Sequence, residues 1–289
     1  MMALLELMRP RQWIKNGFVL APLFFGANLL HRVAVLHALI AMAAFCLTSS
    51  AVYIFNDWRD MQADRQHVLK RGRPLASGRV SVPVALAAML CLLVGAALII
   101  WLGNLPPRFS LVIAIYLAIN LSYSLGLKQV GVIELFLVSS GFILRLLAGG
   151  IALDVALSPW IVISTGTVAL LVTTGKRRGD IARGNDSQNA RKSLAGYNLA
   201  FLDSVLSALA GATLVVYLLF CVSDYAVGRY GHIVLVTAVP VAVGLLRYLQ
   251  LIIVYNDGDS PSDLVLRDRG MLATVLIFVA IFAVLIYRR

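Results

Sequence analysis

Asp57, Asp60 and Asp64 fall within the ten residues NDWRDMQADR at 56–65. On a helix, offsets of three and then four residues keep the three carboxylates within an arc of roughly 60°, all facing one way. Like charges so placed repel one another unless a cation lies between them. Oxygen-only ligands suit Mg²⁺, which commonly takes one or two carboxylates and leaves its other positions to water and substrate phosphates. The spacing therefore predicts Asp57, Asp60 and Asp64 as metal ligands and catalytic groups for a magnesium-bound phosphate or diphosphate. Asn56 would add a carbonyl ligand or bind a substrate hydroxyl. The alternative is plain neutralisation of Arg59, Arg65, Lys70, Arg71 and Arg73 in a solvated loop.

Cations follow in the same stretch. Lys70 and Arg73 precede a turn marked by Pro74 and Ser77-Gly78, where they suit a substrate carrying several phosphates. A second, mainly basic cluster runs from Lys176 through Arg177, Arg178 and Gly179 to Asp180, with Arg183, Asp186, Arg191, Lys192 and Tyr197 beyond it. Near the N-terminus, Arg9-Pro10-Arg11-Gln12-Trp13-Ile14-Lys15-Asn16 reads as an interfacial approach. Trp13 would sit at headgroup level, Arg9 and Arg11 would serve as anchors, and Lys15 and Asn16 would lie deeper. Arg145 stands near the middle of an apolar run and must find an anion or acceptor there. Two roles stay open for it, a structural pair with Glu134 or the holding of a lipid or sugar phosphate. For each loop cation the competing explanation is topological bias.

These groups need a scaffold, and composition says which kind. Of 289 residues, 60% are hydrophobic and 13% charged, a balance that points to an all-α polytopic membrane protein. Apolar runs near 14–30, 33–56, 82–102, 109–127, 132–152, 159–176, 203–222, 231–254 and 271–287 give about nine transmembrane helices. Alternating sides along them, Arg32, Arg108, Arg229, Arg288 and Arg289 stand against the other loop cations, with Arg145 and Arg247 lying inside spans. That bias places the N-terminus and the polar loops 57–81, 177–202 and 255–270 in the cytoplasm, the last loop carrying Asp257, Asp259, Asp263, Arg267, Asp268 and Arg269. The active site should open there. Net charge is +11, yet its cations sit in short loops between spans, so no nucleic-acid partner is expected. Cys46, Cys91 and Cys221 lack CxxC spacing and read as small hydrophobes. No cleavable signal, Walker A loop, GxGxxG, GxSxG or HExxH is found.

The pattern Asn56-Asp57-x-x-Asp60-x-x-x-Asp64 after the second span resembles the first aspartate motif of the UbiA superfamily of intramembrane prenyltransferases. Further stretches are similar to the decaprenyl-phosphate phosphoribosyltransferases within it. They are RPRQWIKN at 9–16, DRQHVLKRGRP at 64–74, YSLGLK at 123–128, VSSGFILRLLAGG at 138–150, TGKRRGD at 174–180 and DLVLRDR at 263–269. The resemblance implies a UbiA-like helical bundle, one integral-membrane transferase domain over 1–289, in a bacterial inner membrane with cytoplasmic active-site loops. It implies a Mg²⁺ cofactor and transfer of 5-phosphoribosyl from phosphoribosyl diphosphate to a polyprenyl phosphate, for arabinan and cell-wall precursors. Asp57, Asp60, Asp64 and Asn56 would bind the magnesium diphosphate, and Lys70, Arg73, Lys176 and Arg177 would contact phosphates. Lys15, Tyr123, Lys128, Arg145 and Tyr197 complete the implied substrate-binding set. Ordinary prenyltransferases carry a second DxxxD, whereas Lys176 takes the first acidic position here, a change that suits a donor with one more phosphate. The attacking lipid phosphate is already anionic, so no general base is required. Prenyl transfer to an aromatic acceptor and anion transport are the alternatives, and homo-oligomerisation stays open.

Overall fold

The computed structural model describes residues 2–68, 70–183, 196–257, 264–265 and 267–288. Every regular element among them is helical. Seven helices are long and apolar enough to cross a membrane, among the described residues: α3 Arg32–Arg59, α5 Val82–Leu102, α6 Pro107–Leu125, α7 Ile133–Ala152, α9 Leu199–Val222, the run His232–Val254 and α12 Arg269–Tyr287. The chain is thus an integral membrane protein.

The two remaining expected spans take other forms. One is α8, Pro159–Ala182, a 24-residue helix diluted by Ser164, Thr165, Thr173, Thr174 and the charged 176–180 end. The other, expected over 14–30, is a 3₁₀ helix Pro10–Leu20 followed by the short α2, Ala21–Phe25. Pro22 lies in the first turn of α2, where its missing N–H costs nothing but where an α-helix arriving from upstream would lose a bond. The short α1 is Met2–Met8 and α4 is Met61–Gln66. The run His232–Val254 is composite: a 3₁₀ turn His232–Thr237, α11 Ala238–Leu249 and a π-turn Gln250–Val254. It is preceded by α10, Asp224–Tyr230.

The described residues form two compact units, one from 2–68, 70–137 and 141–157, the other from 138–140, 158–183, 196–257, 264–265 and 267–288. In the first, α3 is the central helix, with α5, α6, α1 and the 3₁₀ helix laid against it. Its core gathers Val19, Ala44, Phe45, Phe109, Tyr116, Leu144 and Ala148. Lipid gives no hydrophobic drive to helix association, so packing depends on small residues that let backbones approach. Gly149 shows this, because a Cβ there would lie 2.1 Å from the Val19 carbonyl oxygen. A smaller cluster of Leu7, Ile54, Leu75, Val80 and Ala85 fixes the loop 70–80 beneath the end of α3. In the second unit α8 packs on α9, and Leu171, Leu206, Tyr248 and Ile252 form the core. There Gly175 leaves room for Tyr248, whose hydroxyl would lie 2.1 Å from a Cβ.

Candidate active site

Helix α3 runs further than its apolar stretch, so Asn56 and Asp57 sit in its last turns. The helical path breaks at Asp60 (φ −91°, ψ 0°) and resumes as α4, although Asp60 N–H still donates to Asn56 O at 2.9 Å and Asp64 N–H to Asp60 O at 2.8 Å. The three aspartates therefore do not occupy one unbroken helix as the spacing predicts. Asp57 and Asp64 stay on a common side and are both buried, while Asp60 turns elsewhere.

What joins Asp57 and Asp64 is Arg73. Its Nη1 donates to Asp57 Oδ1 at 3.1 Å and to Asp64 Oδ2 at 2.7 Å. Arg9 Nη2 donates to the same Asp57 oxygen at 2.5 Å while the guanidinium lies 5.3 Å from the centre of the Tyr53 ring. Lys128, itself buried, pairs with Asp60 Oδ1. Ser124 donates to Asn56 Oδ1 at 3.2 Å. Six expected site residues, Asn56, Asp57, Asp60, Asp64, Arg73 and Lys128, are thus drawn into one local arrangement. Lys15, Lys70 and Tyr123 are half-buried in the same unit. Burial, followed by the charge of Lys70, holds the pKa of His67 below the ordinary histidine value. That keeps its imidazole neutral at physiological pH.

Sequence reasoning reads Arg9 as an interfacial anchor, and the structure makes it a direct partner of Asp57 across 48 residues. Its backbone is left-handed (φ 54°) immediately before Pro10, a conformation unfavourable for any residue but glycine. That unusual residue before proline is the only local trace of the role. Behind Arg9, Trp13 Nε1 donates to Ser50 Oγ at 3.0 Å, and Asn16 Nδ2 reaches Ser49 Oγ and Cys46 Sγ, each at 3.2 Å.

Arg145 is buried with neutral partners. Nε donates to Asn16 Oδ1 at 2.7 Å, Nη1 to the Gly141 carbonyl at 2.8 Å and Nη2 to Tyr116 Oη at 3.1 Å. Phe45, Tyr116 and Phe142 present their rings 5.0 to 6.0 Å from the guanidinium carbon. Glu134, one of the two partners left open for it, is not among these contacts.

In the second unit, Arg177 Nη1 donates to Asp180 Oδ2 at 3.1 Å, and Arg183 Nη2 to Asp180 Oδ1 at 3.2 Å. Lys176 is exposed, and Tyr197 is buried and stacked on Phe201 at 6.0 Å. Arg178, which the sequence gives no separate role, is held by three partners. It bonds Asp203 at 2.8 Å, the Ile253 carbonyl at 3.2 Å and the side chain of Asn256, itself in the left-handed region. A residue in that conformation just after a π-turn is where a polar side chain can be re-aimed, which ties the end of α8 to the end of the 232–254 run. Asp186, Arg191, Lys192, Asp259 and Asp263 lie outside the described residues.

Do these residues suit Mg²⁺? No group of three His, Cys, Asp or Glu side chains among the described residues gathers closely enough to hold a metal. Two carboxylate oxygens, however, converge on one nitrogen of Arg73, so a single cation between Asp57 and Asp64 is geometrically served. Two carboxylates offering all-oxygen donors match what Mg²⁺ commonly takes. The donor set fits, with Asp57 and Asp64 as its nearest members.

The model of the UbiA prenyltransferase family matches residues 18–273. A decaprenyl-phosphate phosphoribosyltransferase of Corynebacterium glutamicum is 34% identical over 290 residues, covering 98% of this chain and 87% of the relative. One of Mycobacterium tuberculosis is 35% identical over 280 residues, covering 94% and 90%. Among solved structures, a UbiA homolog from Archaeoglobus fulgidus bound to GPP and Mg²⁺ superposes with a TM-score of 0.72 at 19% identity, covering 99% of both chains. The family match runs through both compact units and takes in the aspartates, Arg73 and the basic second motif alike, so the chain belongs to the UbiA prenyltransferase family.

Proposed function

We propose that this chain transfers the 5-phosphoribosyl group of phosphoribosyl diphosphate to a polyprenyl phosphate, releasing diphosphate, with Mg²⁺ as cofactor. The observation that carries it is near-full-length similarity to the named phosphoribosyltransferases, in a chain whose second motif holds Lys176 where an acidic residue would serve a prenyl diphosphate. The whole chain then acts as one transferase domain, in a bacterial inner membrane with the site on the cytoplasmic face.

Held between Asp57 and Asp64, Mg²⁺ would draw negative charge from the leaving diphosphate. Asp60, paired with Lys128, is assigned to the same set on its spacing, and Asn56 would orient a ribose hydroxyl. Arg73 and Arg9 bind diphosphate oxygens, being cations already gathered at the carboxylates. Lys70 and Lys15 add positive charge nearby in sequence. Lys176 and Arg177, with Tyr197, are assigned to the donor's remaining phosphate on chemistry alone, since the extra anion calls for cations. The acceptor oxygen is anionic at neutral pH, and the neutral, modestly placed His67 is not needed as a base.

The test uses purified full-length protein with Mg²⁺, labelled phosphoribosyl diphosphate and decaprenyl phosphate. The expected result is label in the lipid fraction. Prenylation of an aromatic acid from a polyprenyl diphosphate, with no lipid label, would overturn the donor assignment.

A further inference from the structure

The 3₁₀ helix Pro10–Leu20 has 11 residues, well beyond the three or four usual for this conformation. Its reason lies in what it touches. With three residues per turn, Trp13, Asn16 and Val19 form one straight row. Each meets α3: Trp13 at Ser50, Asn16 at Ser49 and Cys46, and Val19 in the cluster with Ala44 and Phe45. An α-helix would rotate the row away within two turns. The rises also agree. From Arg9 to Asn16 is about 14 Å at a 3₁₀ rise of ~2.0 Å per residue, and from Ser49 to Asp57 is about 12 Å at ~1.5 Å. Relaxed to an α-helix, the segment would shorten by roughly 3 Å, enough to draw Arg9 off Asp57.

Something must hold a long 3₁₀ helix in that register. We propose that Arg145 and Asn16 are positioning residues that lock it, and so place Arg9 at the metal-side carboxylate. The lock is geometric. Arg145 Nε fixes the Asn16 side-chain oxygen at 2.7 Å, which leaves its Nδ2 aimed at Ser49 and Cys46. The other two guanidinium nitrogens are committed to Gly141 and Tyr116. A planar fork aims its donors in fixed directions at the 3₁₀ helix, at α6 and at its own helix, where a lysine offers a rotating point charge. An Arg145 caged by neutral acceptors and rings is arranged for holding protein. The inference rests on the proposed function only for its effect on catalysis.

The experiment measures KM for phosphoribosyl diphosphate and for decaprenyl phosphate in wild type, Arg9→Gln, Arg145→Met, Asn16→Ala and the double variants with Arg9→Gln. Hydrogen–deuterium exchange over residues 10–20 is followed in parallel. Arg145→Met and Asn16→Ala are each expected to raise the donor KM about tenfold, leave the acceptor KM unchanged and speed exchange over 10–20. Combined with Arg9→Gln they should add less than twofold, because the loss travels through Arg9. Asn16→Asp, which keeps an acceptor for Arg145 but loses the Nδ2 donor to Ser49 and Cys46, should raise the donor KM as Asn16→Ala does. A rise in acceptor KM on Arg145→Met, or losses that multiply in the double variants, would overturn the proposal. Should Arg145→Met not fold, Asn16→Ala alone decides. If wild type transfers no label, the functional reading falls, and unchanged exchange in Asn16→Ala would sink the lock separately.

Discussion

At the level of single residues, the site is a balance of carboxylates and built-in cations. Asp57 and Asp64 share Arg73, and Asp57 also takes Arg9. A divalent ion entering between them competes with Arg73, which can release the carboxylates at little cost only if an anion arrives to receive it. Metal and diphosphate binding should therefore be coupled, each tightening the other by the same factor. We expect Arg73→Gln to bind Mn²⁺ several-fold tighter than wild type when no diphosphate is present, and to lose most of the gain that added diphosphate gives wild type. Mn²⁺ titration followed by electron paramagnetic resonance checks this, and weaker metal binding by the variant would refute it. Asp57→Asn and Asp64→Asn should each lower kcat by about 100-fold or more, and chelation of the metal should stop transfer reversibly. The acidic stretch itself was legible, but its shared face was not, because the helix breaks at Asp60. Arg9 was not, because its partner is 48 residues away and nothing in a basic N-terminus distinguishes an anchor from a ligand.

At the level of elements, helix ends and close approaches carry the precision. Gly149 lets the backbones of α7 and the 3₁₀ helix touch, so Gly149→Leu should lower the melting temperature in detergent by several degrees or prevent folding. A thermal-shift assay measures it, and a wild-type melting point would show that the contact is dispensable. Asp268 begins α12. It accepts from Met271 N–H at 2.8 Å and from Arg247 at 3.1 and 2.7 Å. The Arg247 bonds first, then the Met271 amide, hold its pKa down to about 2. A carboxylate depressed in the folded state contributes stability that is complete above its unfolded value, ~3.9, and is lost as pH falls through the folded value. Asp268→Ala should therefore melt earlier than wild type at pH 7, and the gap should narrow as pH is lowered from about 5 toward 2. A gap independent of pH would mean that the carboxylate's charge is not what matters. Hydrophobic run length marks nine stretches as spans, and seven of them are candidate membrane helices among the described residues; the run 14–30, interrupted by Pro22 and Gly26, has the composition of a span without its geometry.

At the level of the whole molecule, charge distribution predicts orientation. The loop 67–81 should face the cytoplasm and the start of α6 the other side. In intact spheroplasts of a strain expressing the otherwise cysteine-free protein, Arg108→Cys should react with an impermeant maleimide and Ser77→Cys only after permeabilisation. The opposite pattern would invert the topology and move the site across the membrane. Apolar run length, the aspartate spacing and the basic second motif are local properties, so sequence alone determined an all-α membrane transferase with an acidic first motif. Tertiary structure decided which cations serve which acids. Asp57 and Asp64 meet through Arg73, Asp60 goes to Lys128, Arg145 turns to Asn16 instead of Glu134, and Arg9 is carried to Asp57. Those pairings depend on how far each helix rises and which residues on it are small, and distances set by packed backbones are not written in any single stretch of chain.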